Sequence, residues 1–210
     1  MIKLMSTDDF FVFDIFWNLF LLMIPFFVWL TLFKLWKKNK YRSLGAKIAA
    51  GALFFLWFLF LPNTVYLIVD TRHLFSGCFP NEHQVCAGSV WTVFFLFFYA
   101  CLGWTAFVFL VSRMKIFAEE VIGKKAAGFF VIGIMPLISL GVLLGLVERW
   151  NSWDFFFSPG KIIFDAWAQV AEAGLFLDWF LTLMILYALY FGGNYLFKDR
   201  FNSLISKYRV

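Results

Sequence analysis

Charge is scarce in this sequence. Only 15% of its 210 residues are Asp, Glu, Lys or Arg, against roughly 25% in soluble domains. A soluble core of this size would alternate polar and apolar faces, and the long runs here do not. Catalytic signatures are also missing: there is no H-E-x-x-H, no G-x-S-x-G and no paired Asp in a protease-like setting. No internal repeat is visible, so an inverted-repeat transporter has no support. No basic stripe carries base-stacking aromatics, so the net charge of +5 does not imply nucleic acid. No small-residue cleavage site follows the first apolar run, which argues against a removable signal peptide.

Apolar and aromatic residues fill the space instead, at 63% and 23% of the chain. Runs of about 18 or more apolar residues read as transmembrane helices. The expected fold is a single all-α polytopic membrane domain over residues 1–210. Its five spans are expected at about 10–33, 48–69, 89–111, 126–147 and 178–197. Membrane lipids are the expected partners. Residues 162–176 are modestly amphipathic, and an interfacial helix before the last span is expected there. The second span reaches bilayer length only if it passes through Pro62 to Val69. Pro62 removes the donor for the Phe58 carbonyl, and Asn63 beside it is a candidate replacement.

Lys and Arg set the orientation. Residues 34–47, 112–125 and 198–210 hold 14 of the 18. The positive-inside rule puts these segments in the cytoplasm, the N-terminus outside and the C-terminus inside. Cys78 and Cys86 then fall on the oxidising side, where they are a candidate disulfide.

Two stretches carry the polar residues. In the first, Asn63, Tyr66, Asp70 and His73 sit at i, i+3, i+7 and i+10, one stripe of a helix. In the second, Glu148-Arg149-Trp150-Asn151-Ser152-Trp153-Asp154 ends the fourth span. Ionisable groups at membrane depth are costly and suggest a site. Asp70, His73 and Asp154 are the candidate acid–base groups. Asn63, Tyr66, Arg149, Asn151 and Trp153 are candidate substrate-binding residues. Asp70 and His73 with Asp154 or Glu148 are a weak metal pattern, and no metal is assigned. The alternative is structural: Asp70 pairs with Arg72 or Arg149, Asn151 and Asp154 cap a turn, and Gly141 and Gly145 permit close helix approach.

Pro62-Asn63-x-x-Tyr66-Leu67-x-x-Asp70-x-x-His73-Leu74, followed by Arg149-Trp150-Asn151-Ser152-Trp153-Asp154, resembles an uncharacterised bacterial integral membrane family, domain of unknown function 1361. Asn18-Leu19-Phe20-Leu21 with Ile24-Pro25 resembles the family's early segment. The resemblance implies a multi-span protein of the bacterial plasma membrane and groups these motifs, but lends no activity. Three functions stay open. They are an enzyme acting on a lipid or envelope substrate at the outer face, a small transporter subunit, and a structural or assembly factor in which the motifs tie helices together. The enzyme is the leading expectation. It requires a water-accessible space where Asp70, His73 and Asp154 converge; the structural reading requires that those groups satisfy one another.

Overall fold

A computed structural model describes residues 12–37, 44–71 and 90–208, the side chains of residues 12–14, 37, 90–92 and 198–208 excepted. The elements are α1 (Val12–Lys37), α2 (Leu44–Phe60), α3 (Pro62–Val69), α4 (Val90–Ile122), α5 (Lys124–Val147), a short 3-10 helix (Ser152–Phe156), α6 (Pro159–Ala171) and α7 (Ala173–Tyr208). No strand occurs among the described residues. Among the described residues, five stretches are long and apolar enough to cross a membrane: Ile15–Trp36, Leu44–Val69, Val93–Ile122, Lys124–Val147 and Ala173–Phe197. The chain is thus a multi-pass membrane protein by the length and composition of its helices.

The second span is continuous in length but broken in register. Leu61 N–H donates to the Trp57 carbonyl at 3.0 Å, and Thr64 N–H then turns back to the Leu61 carbonyl at 3.0 Å. Helix α3 restarts on Pro62 because proline suits a first helical turn, where its missing N–H has no partner to lose. Helix α4 runs on to Ile122, through residues that composition reads as a loop. Gly123, with φ of 89°, breaks the chain before α5. The last span starts at Ala173, five residues before Asp178. Extended backbone at Glu172 separates it from α6.

The core lies around α4. Trp57, Phe107, Met114, Met135, Ile138 and Leu186 are all nearly or fully buried there. Helix α7 is peripheral: only 17% of its apolar window is buried, against 44% for the second and fourth spans. Lipid is as apolar as a leucine core, so packing distance and hydrogen bonds hold such helices together rather than hydrophobicity. Close approach is visible at Gly103, where a Cβ would stand 2.5 Å from the Thr64 carbonyl and 2.6 Å from Leu67 Cβ.

Hydrogen bonds complete the scheme. Pro136 in α5 has no N–H for the Ile132 carbonyl four residues back. The Tyr187 hydroxyl of α7 donates to that carbonyl at 2.8 Å. Trp179 Nε1 donates to the Pro136 carbonyl at 3.2 Å. A proline defect in one span thereby becomes the attachment point of another.

Candidate functional site

The two polar stretches meet at one end of the bundle. Helices α3 and α5 both run toward it, so their repeats match in step. Pro62 and Tyr66 sit against Gly141 and Gly145, each pair spaced i, i+4. A Cβ on Gly141 would stand 2.8 Å from Pro62 Cγ, and one on Gly145 would overlap the Tyr66 hydroxyl. The glycines leave room for the phenol to reach past the α5 surface. The Tyr66 hydroxyl donates to the Gly141 carbonyl at 2.7 Å.

Asn63, only 4% exposed, bridges two elements. Its Nδ2 donates to the Phe60 carbonyl at 3.0 Å and to Ser152 Oγ at 3.0 Å. The carbonyl it serves is Phe60, not the expected Phe58. Asp70 follows α3, and its Oδ2 accepts from Asn18 Nδ2 of α1 at 3.0 Å. Trp17 of α1 meets the Trp153 ring edge-on at 5.7 Å. Helices α1 and α3 and the segment after α5 are therefore linked at this pole. The basic residues Lys37 and Lys124 lie at the other pole, where Trp36 packs on Phe117.

The segment after α5 is fixed by local geometry. Arg149 has φ of 58°, the left-handed conformation that ends many helices. Glu148 and Trp150 N–H groups both return to the Leu144 carbonyl, at 3.1 and 3.2 Å. Asp154 Oδ2 accepts from the backbone N–H of Asn151 at 2.8 Å and from its Nδ2 at 3.3 Å. That is one arm of a capping box on the 3-10 helix. Trp150 Nε1 donates to Asp165 Oδ2 of α6 at 2.9 Å.

Beside this network lies a cleft of about 260 Å³ between α2, α3, α5, the 3-10 helix and α6. Its walls are mainly apolar, including Phe58, Leu140, Phe155 and Ile163. Tyr66, Asn151 and Ser152 are among its lining residues. Neither Asp70 nor Asp154 lines it.

A family model matches residues 17–189 and is described as a protein of unknown function, DUF1361. The chain belongs to the DUF1361 family. No curated protein and no solved structure matches it. The DUF1361 match spans every residue of the polar network, from Trp17 to Asp165.

Of the candidate residues, Asn63, Tyr66 and Asp70 stand on or just after α3. Arg149, Asn151, Trp153 and Asp154 form the turn that meets it. His73, Arg72, Cys78 and Cys86 lie outside the described residues. Asp70 and Asp154 are engaged by different partners, Asn18 and Asn151. Among the described residues no group of three His, Cys, Asp or Glu side chains is arranged to hold a metal. Sequence reasoning missed Ser152 as Asn63's partner. Its only signal was its place between Asn151 and Trp153. It also missed the Tyr66–Gly141 bond, although the matched i, i+4 spacings of Pro62/Tyr66 and Gly141/Gly145 could have suggested it.

Proposed function

We propose that the polar motifs of this DUF1361 protein are a clasp, and that the protein is a structural or assembly factor of the bacterial plasma membrane. By its Lys and Arg distribution the clasp lies at the extracytoplasmic pole. One observation carries the proposal: the motifs' polar atoms are spent within the chain, three of the bonds joining separate elements. Tyr66 is bonded to the Gly141 carbonyl, Asn63 to the Phe60 carbonyl and Ser152, Asp70 to Asn18, and Asp154 to Asn151. Polar groups at membrane depth are costly unless paired, and pairing across helices fixes which helix meets which. The enzyme reading has less support. It calls for carboxylates around a shared wet space, and the cleft beside them is walled by hydrocarbon.

The test compares Asn63→Ala, Tyr66→Phe and Asp70→Asn in the native membrane. The clasp predicts less protein in the membrane fraction and a lower melting temperature for Asn63→Ala and Tyr66→Phe. Unchanged abundance and melting for all three variants, with a changed lipid or envelope product, would support the enzyme instead.

A further inference from the structure

We propose that the cleft beside the clasp holds one acyl chain of a zwitterionic glycerophospholipid, whose phosphate meets Lys161 and Arg149 and whose amine meets the neighbouring carboxylates. The inference goes beyond the clasp and does not depend on it, because the residues it tests are not clasp members.

The occupant's tail follows from the cleft's place and size. The walls belong to two membrane-spanning stretches, Leu44–Val69 and Lys124–Val147, and to α6. At about 260 Å³ the cleft falls just below the roughly 300–1,000 Å³ of sites for whole small molecules. Apolar space of this kind stays dry and takes hydrocarbon. Leu137 and Ile163 line it and are also 51% and 61% exposed, so the cleft opens sideways toward lipid. A bilayer chain reaches it without leaving the membrane.

The headgroup follows from the charges at the polar rim. Trp150, Asn151 and Ser152 line the cleft, and such tryptophans settle at the headgroup level. Lys161 Nζ stands 5.1 Å from the Trp150 ring centroid, and Arg149 is the exposed residue just before Trp150. Neither cation forms an ion pair among the described residues, which leaves both for a phosphate. Three carboxylates neighbour these residues: Glu148 precedes Arg149, Asp154 is bonded to Asn151 and Asp165 to Trp150. Glu148 is exposed, while Asp154 and Asp165 each receive N–H groups at one oxygen, Oδ2. Cations alone would select an anionic lipid. Cations interleaved with carboxylates match a headgroup that carries both a phosphate and a primary amine. Exposed Ile163, Phe164 and Trp167 on α6 keep this rim in the interface.

The full chain is purified, stripped of lipid by detergent exchange and mixed with vesicles of equal phosphatidylethanolamine and phosphatidylglycerol. Retained lipid per protein is then read by native mass spectrometry. Phosphatidylethanolamine is expected to be enriched. Leu137→Trp, which fills space for about two methylenes, should lower its retention roughly tenfold. Lys161→Gln should lower it roughly fivefold. Both positions are outside the core, so melting should stay unchanged; Ile163→Trp on the facing wall is the substitute if Leu137→Trp does not accumulate. Equal retention of both lipids, preference for phosphatidylglycerol, or retention insensitive to the wall and rim variants would each overturn the proposal. A stable protein that retains no lipid would overturn it too, and would leave the clasp untouched.

Discussion

Gly145→Ala probes the tightest contact of the clasp. The added Cβ would overlap the Tyr66 hydroxyl and stand 3.2 Å from the Trp150 carbonyl. The phenol must withdraw, and its 2.7 Å bond to the Gly141 carbonyl goes with it. A buried polar group left without its partner costs about 1–3 kcal/mol. Forcing a methyl into a packed interface costs about 1–3 kcal/mol more. Alanine's better helix propensity returns about 1 kcal/mol at most. The net loss should be about 3 kcal/mol, within a span of about 1–5 kcal/mol. For a chain of this length, roughly 2–4 °C is lost per kcal/mol, so melting in nanodiscs should fall by roughly 6–12 °C. Tyr66→Phe alone removes the hydroxyl and should cost about 1 kcal/mol. In the double variant the methyl meets a ring without its hydroxyl. The double variant's loss should then fall short of the sum of the two single losses by at least about 1 kcal/mol. A neutral Gly145→Ala, or strictly additive losses, would refute the contact and the reasoning built on it.

Other variants test neighbouring parts. Asn63→Asp should destabilise more than Asn63→Ala in a melting assay, because both of its bonds use the Nδ2 donor and a carboxylate offers none. Arg149→Gly should raise stability by about 0.5–1 kcal/mol, since glycine tolerates the left-handed backbone at φ of 58°; a lower melting temperature would contradict this. Tyr187→Phe should cost about 1–3 kcal/mol by orphaning the Ile132 carbonyl. Adding Pro136→Ala, which supplies a backbone N–H for the same carbonyl, should recover part of that loss.

Hydropathy and chain length made the spans legible. Apolar runs long enough for a bilayer leave little choice, and the second span needed the residues beyond Pro62 to reach that length. Helix ends were harder to read. The charges from Arg113 to Glu120 mark where lipid gives way to water, but helix α4 continues through them. The extended residue before α7 is Glu172, with no proline to announce it. At the candidate site, the need to satisfy backbone next to Pro62 pointed correctly to Asn63 as the donor. It missed the acceptor, because Thr64 N–H turns back to the Leu61 carbonyl and leaves the Phe60 carbonyl without its usual donor. Long-range partners were beyond local pattern. Nothing near Asn63 specifies Ser152, 89 residues away; only the packing of α3 against α5 brings them together.

The bond between Asn63 and Ser152 gives the most direct measurement of the clasp, because it joins two motifs that only the fold unites. A double-mutant cycle of Asn63→Ala and Ser152→Ala, read as unfolding free energy in nanodiscs, should give a favourable coupling of about 1 kcal/mol. Additive effects, with no coupling between the two positions, would contradict the claim that these polar groups hold the helices together.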